Sequence, residues 1–61
     1  MIKVINLLED KTIFEGNTIE VIEFAKKIAK ENGDENWSFI GYSDVVEYID
    51  DYCDNLEIIE I

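Results

Sequence analysis

The sequence predicts a small α+β domain: a sheet of three strands, with a fourth left open, and two helices on one face, in the order β-β-α-(β)-α-β. Three observations predict it. Runs rich in β-branched and apolar residues open and close the chain. Two internal stretches repeat apolar residues with the period of a helix. Helix-start and helix-stop residues bracket both stretches. With 61 residues, one domain spanning 1–61 is the only sensible count. A chain this short hides only about 60% of its unfolded surface, which leaves a narrow stability margin and little room for a larger catalytic cleft.

Residues 2–8 (Ile-Lys-Val-Ile-Asn-Leu-Leu) are apolar on both faces and read as a central strand. Glu9, Asp10 and Lys11 interrupt it. Thr12 to Glu15 resumes a short strand, so residues 2–15 form a hairpin, though one without an Asn-Gly or Asp-Gly turn to fix its register. Gly16 closes the hairpin. Asn17 is placed to cap a helix, with Glu20 three residues on completing a capping-box pair. From Thr18 to Asn32, Val21, Phe24, Ala25, Ile28 and Ala29 share one face, and Glu20, Glu23, Lys27, Lys30 and Glu31 share the other. Glu23 and Lys27 stand in the favoured i, i+4 order, and Gly33 stops the helix.

Asp34, Glu35 and Asn36 form a loop. Residues 37–40 (Trp-Ser-Phe-Ile) suit either a short strand or an aromatic connector. Gly41 and Tyr42 punctuate, Ser43 is the expected cap of a second helix over residues 44–54, and Asn55 is expected to end it in the left-handed conformation. Leu56 to Ile61 is the last strand, expected beside the first, and the first is expected in the middle of the sheet.

Charge is divided unevenly along this frame. Residues 1–30 hold all five bases (Lys3, Lys11, Lys26, Lys27, Lys30) and five acids, and so sum to zero. Residues 31–61 hold no base and ten acids, so the whole net charge of −10 lies in the second half. Solubility alone is better served by interspersed charges, and crowded like charges repel. On the second helix Val45, Val46, Tyr48, Ile49, Tyr52 and Cys53 fall on one side, while Asp44, Glu47, Asp50, Asp51 and Asp54 fall on the other. Such a ridge runs for about 15 Å at ~1.5 Å per residue, with neighbours about 5–6 Å apart. Solvated faces are commonly charged. A rigid carboxylate row nevertheless also resembles the charge of a nucleic-acid backbone, which binding proteins meet with Lys and Arg.

The same residues exclude other chemistries. There is no histidine, and the single cysteine, Cys53, falls on an apolar face, so no enzyme is expected. No cofactor and no metal site are expected, because Asp34-Glu35-Asn36 lacks the spacing of a calcium loop and zinc lacks ligands. The field opposes direct nucleic-acid binding and anionic membranes. An unpaired cysteine and the lack of an export signal or membrane span point to the cytoplasm. Among the aromatics, Phe39, Tyr48 and Tyr52 are expected in the core, while Trp37 and Tyr42 are candidate interface anchors.

Size, acidity and compact α+β character together resemble the small inhibitor proteins of phages and mobile elements, including anti-CRISPR proteins and DNA mimics. These share size and charge rather than signature residues. The resemblance implies a stoichiometric, non-catalytic binder that blocks the basic groove of a nucleic-acid-handling enzyme such as an RNA-guided nuclease in a bacterial cytoplasm. The site expected on this basis is Asp44, Glu47, Asp50, Asp51 and Asp54, joined by Glu57 or Glu60 if they face the same way, with Trp37 or Tyr42 as anchor. The alternative is a small structural or regulatory interaction module, with a homodimer as one form of it, in which Trp37, Phe39 and the last strand make the contact and the acids only solubilise.

Overall fold

Ile2–Asn6 forms β1, Lys11–Gly16 forms β2, Thr18–Glu31 forms α1, Tyr42–Tyr52 forms α2 and Leu56–Glu60 forms β3 in the computed structural model, which describes residues 1–34 and 36–61. The sheet is antiparallel in the order β2-β1-β3, with the first strand central and the last beside it, as the sequence predicts. Residues 37–40 form no strand; they are the aromatic connector. Of the expected loop at 34–36, Glu35 lies outside the described residues.

The hairpin turn is built by polar side chains rather than glycine. The Asn6 Oδ1 accepts the amides of Leu8 (3.0 Å) and Glu9 (3.2 Å), and Asp10 takes a left-handed φ of 52°. That side-chain mimicry of a backbone turn is what Asn and Asp allow. It ends β1 at Asn6 and leaves Leu7 and Leu8 exposed. The β1–β2 register shifts between Val4 and Ile5, where Ile13 is the extra, bulged residue. The β1–β3 register is unbroken from Ile2↔Glu60 to Asn6↔Leu56.

Both helices cover one sheet face. Ile2 and Val4 point to it and join Val21, Ala25, Ala29, Phe39, Val45, Tyr48 and Ile49 in one core. Each buried Val or Ile side chain contributes ~1.5–3 kcal/mol. Phe14, paired across from Val4, stacks on Phe24 at 4.6 Å and fastens β2 to α1. Both halves of the Asn17–Glu20 capping box are present. At the other end Gly33 (φ 80°) donates to Lys30 O and Asp34 donates to Ala29 O, a Schellman ending. Glu23 pairs with Lys26 at 3.6 Å rather than with Lys27.

The second helix departs from expectation at both ends. It begins at Tyr42 with Gly41 as the cap, so Ser43 lies inside the first turn. It finishes at Tyr52, because Cys53 is extended (φ −109°, ψ 94°), and Asn55 is not left-handed.

Candidate functional site

α2 lies over β3 and turns Val45, Tyr48 and Ile49 inward. The periodicity that buries them turns Glu47, Asp50 and Asp51 to solvent. Asp54 is exposed in the turn beyond the helix. Among the described residues the only ion pair is Lys26–Glu23 on α1, so these four carboxylates have no cationic partner there.

Asp44 is not part of that free set. It occupies the third helical position, and its Oδ2 accepts the amides of Ile40 (2.8 Å) and Gly41 (3.0 Å). Its carboxylate is half-buried and satisfies orphan donors at the helix start, where the dipole also favours negative charge. An acid three residues after Gly41 is the signal that identifies this role in sequence.

The two acids of β3 face opposite ways. Glu60 pairs across from buried Ile2 and so lies on the helix side; Glu57 pairs across from Ile5 and lies on the bare side of the sheet. Glu57 therefore stands apart from the α2 acids. Glu60 joins them through Tyr42. Burial raises the Tyr42 hydroxyl above its ordinary pKa, and the nearby charges of Glu60 and Asp50 raise it further. The negative charges of Glu60 and Asp50 thus both bear on the Tyr42 hydroxyl.

Trp37 sits elsewhere. Its ring lies 4.5 Å from Tyr52 edge-on, 5.3 Å from Tyr48 and 6.2 Å from Phe39. It is half-buried against the core, and its buried Nε1 has no hydrogen-bond partner among the described residues. It cements the connector rather than standing free. Tyr52, expected in the core, is 61% exposed and shields one edge of Trp37 instead. Phe39 and Tyr48 are buried, as predicted. Tyr48 reaches across to donate its hydroxyl to Asp34 Oδ2 at 2.8 Å, while Asn32 Nδ2 donates to it at 3.4 Å. Burial, the leading cause, and the Asp34 carboxylate push its pKa up to about 12.

A shallow depression lies between α1 and the connector, lined by Lys26, Lys30, Asp34, Trp37 and Phe39. It is separate from the acidic face and carries two of the chain's bases. Burial raises the pKa of the half-buried Cys53 thiol, with Asp34 and Asp54 adding to the rise. A thiol shifted that way is a poor nucleophile at neutral pH. Among the described residues no three acids or thiols converge to hold a metal ion, and no helix is long and apolar enough to cross a membrane.

The acidic face is therefore Glu47, Asp50, Asp51, Asp54 and Glu60 with Tyr42 at its edge. It displays charge and one aromatic ring on a rigid helix–strand corner. That arrangement can attract and orient a cationic partner. The chain matches no protein-family model, no curated protein and no solved structure.

Proposed function

We propose that this protein is a non-catalytic acidic inhibitor that docks its α2 face into the basic groove of a nucleic-acid-handling enzyme, with an RNA-guided nuclease as the target. The observation that carries this reading is the set Glu47, Asp50 and Asp51 on α2 with Asp54 in the turn just beyond it, exposed and without a cationic partner among the described residues. Residues three and four apart on a helix stand about 5–6 Å from one another, close enough to present several charges to one cationic cleft. Grooves of this kind hold nucleic acid through Lys and Arg, and long-range attraction to an acidic ligand accelerates association. Tyr42 supplies the aromatic contact at the rim. A cytoplasmic site of action belongs to the same proposal.

The test is capture of the partner from a bacterial lysate, followed by challenge with duplex DNA and with salt. Displacement of the captured enzyme by DNA, with binding that weakens steeply from low to moderate salt, supports the proposal. Capture insensitive to both removes it. A second reading, a structural module that pairs with its own copy, draws on the unpaired outer edge of β3. Light scattering separates the two: a concentration-independent monomer suits the inhibitor, and a tight dimer suits the module.

A further inference from the structure

The two edges of this sheet are not equivalent. The β2 edge carries the bulge at Ile13 and ends in Lys11. Bulges and edge lysines are the devices by which proteins discourage strand addition. The β3 edge has neither. It is five residues long, regular in register, and free of proline and lysine.

Its hydrogen-bonding groups can be assigned. Met1 and Ile61 exchange both backbone bonds: Ile61 N donates to Met1 O at 2.8 Å and the Met1 ammonium donates to Ile61 O at 3.1 Å. Hydrogen-bonded and non-hydrogen-bonded pairs alternate in an antiparallel ladder. The register therefore turns the groups of Ile59 and Glu57 toward β1 and those of Leu56, Ile58 and Glu60 outward. The Leu56 amide is used internally, donating to Cys53 O at 3.3 Å. The Ile58 and Glu60 amides and the Leu56, Ile58 and Glu60 carbonyls are left as an open template.

The flanks of this template are acidic on both sides. Glu60 lies on the helix side of the strand, where α2 with its exposed Asp50 packs over β3, and Glu57 stands on the bare side. A second copy added here would bring a second Asp50 and Glu60 toward the first without any base between them. An incoming strand with cationic side chains meets carboxylates on whichever face each side chain takes.

We infer that the outer edge of β3 accepts an extended segment of a partner protein bearing lysine or arginine at alternate positions, which adds as a fourth strand through the backbone of Ile58 and Glu60 and places its cations on the helix side of the sheet, against Glu60 and Asp50. This rests on the reading above that the partner is basic, and it names the element of the partner that is held.

The probe is a synthetic peptide of alternating Lys and Val, with an alternating Glu and Val peptide as control, followed by amide hydrogen exchange and chemical shifts on the intact protein. Binding of the Lys peptide slows exchange of the Ile58 and Glu60 amides about ten-fold or more, while the Glu peptide leaves them unchanged. Glu60→Pro removes one outward donor together with the Glu60 carboxylate, leaves the β1 ladder intact and abolishes protection of the Ile58 amide, whereas Glu60→Gln, which loses only the charge, retains part of it. The Asp50→Asn, Glu60→Gln double variant keeps the backbone, and weakens binding about ten-fold at low salt. Circular dichroism verifies that both variants fold. Lys peptide that shifts Glu47, Asp51 and Asp54 but leaves Ile58 and Glu60 unprotected overturns strand addition and spares the acidic-face reading. Lys peptide that binds nowhere overturns both. Protection of Ile58 that grows with protein concentration alone assigns the edge to a second copy and overturns the inference.

Discussion

Tyr48, buried at the centre of α2, donates its hydroxyl to the Asp34 carboxylate just beyond α1, and so ties the two helices together across the aromatic connector. Both residues belong to the acidic second half of the chain, so the bond anchors the loop that follows α1 to α2. It also holds Trp37, 5.3 Å from the Tyr48 ring, against the core.

Tyr48→Phe should cost about 1 kcal/mol of stability, less than the ~1.5–3 kcal/mol of a hydrogen bond to a buried charged group, because exposed Asp34 regains water. The single tryptophan reports the unfolding. The pH dependence gives a second readout. Tyr48 in the fold holds its proton up to about pH 12, whereas an unfolded tyrosine releases it near pH 10. The folded state binds more protons in that window, so its stability is full below the unfolded value and falls as pH rises through it toward the folded one. Denaturant midpoints between pH 9 and about pH 12 should decline in the native chain and decline less in Tyr48→Phe, with Tyr42 supplying part of the remainder.

Asp44 and its neighbours Asp50 and Asp51 should behave oppositely. Asp44→Ala strips the acceptor from the Ile40 and Gly41 amides and should destabilise the fold by about 1 kcal/mol, as lost helix caps do. Asp50→Asn with Asp51→Asn relieves like-charge crowding and should leave thermal stability unchanged or slightly raised. Inhibition of the target should drop in the double variant. Asp44→Ala should lower inhibition only as far as it unfolds the protein. Equal thermal losses in the two variants would assign the exposed acids a structural role.

Gly16 is the residue where the hairpin passes into α1. A Cβ there would stand 2.9 Å from Glu20 Oε1 and 2.9 Å from Phe14 Cζ. The first of these atoms is the acceptor of the Asn17 amide, and the second belongs to the ring stacked on Phe24. Gly16→Ala therefore displaces a cap and an aromatic contact together. A loss of about 1–2 kcal/mol in a urea titration is expected. Gly33→Ala meets no atom within 4 Å, and its cost of about 1 kcal/mol comes from the left-handed backbone alone.

The strand order, the core face of α1 and its caps are legible in the sequence because each follows from a local rule: a two-sided apolar strand is central, Asn17 with Glu20 starts a helix, and Gly33 ends it. The boundaries of α2 are not. Ser43 has the chemistry of a cap, but Asp44 reaches back to Gly41 and gains two charge-assisted bonds, which moves the start upstream. The acidic row is legible as a helical pattern, yet periodicity says nothing of Asp44's backbone partners. The opposition of Glu57 and Glu60 depends on strand register, and the repeat Leu-Glu-Ile-Ile-Glu-Ile supports either face. Trp37 reads as a free anchor only while the connector's path over Tyr48 and Tyr52 is unknown.

The most direct test is the salt dependence of target inhibition in the native chain beside the Asp50→Asn, Asp51→Asn variant. A cation-seeking α2 face requires the native chain to lose affinity steeply between about 50 and 200 mM salt, and the variant to bind more weakly with a shallower slope. Affinity that is flat with salt, or a variant that inhibits as well as the native chain, contradicts the account.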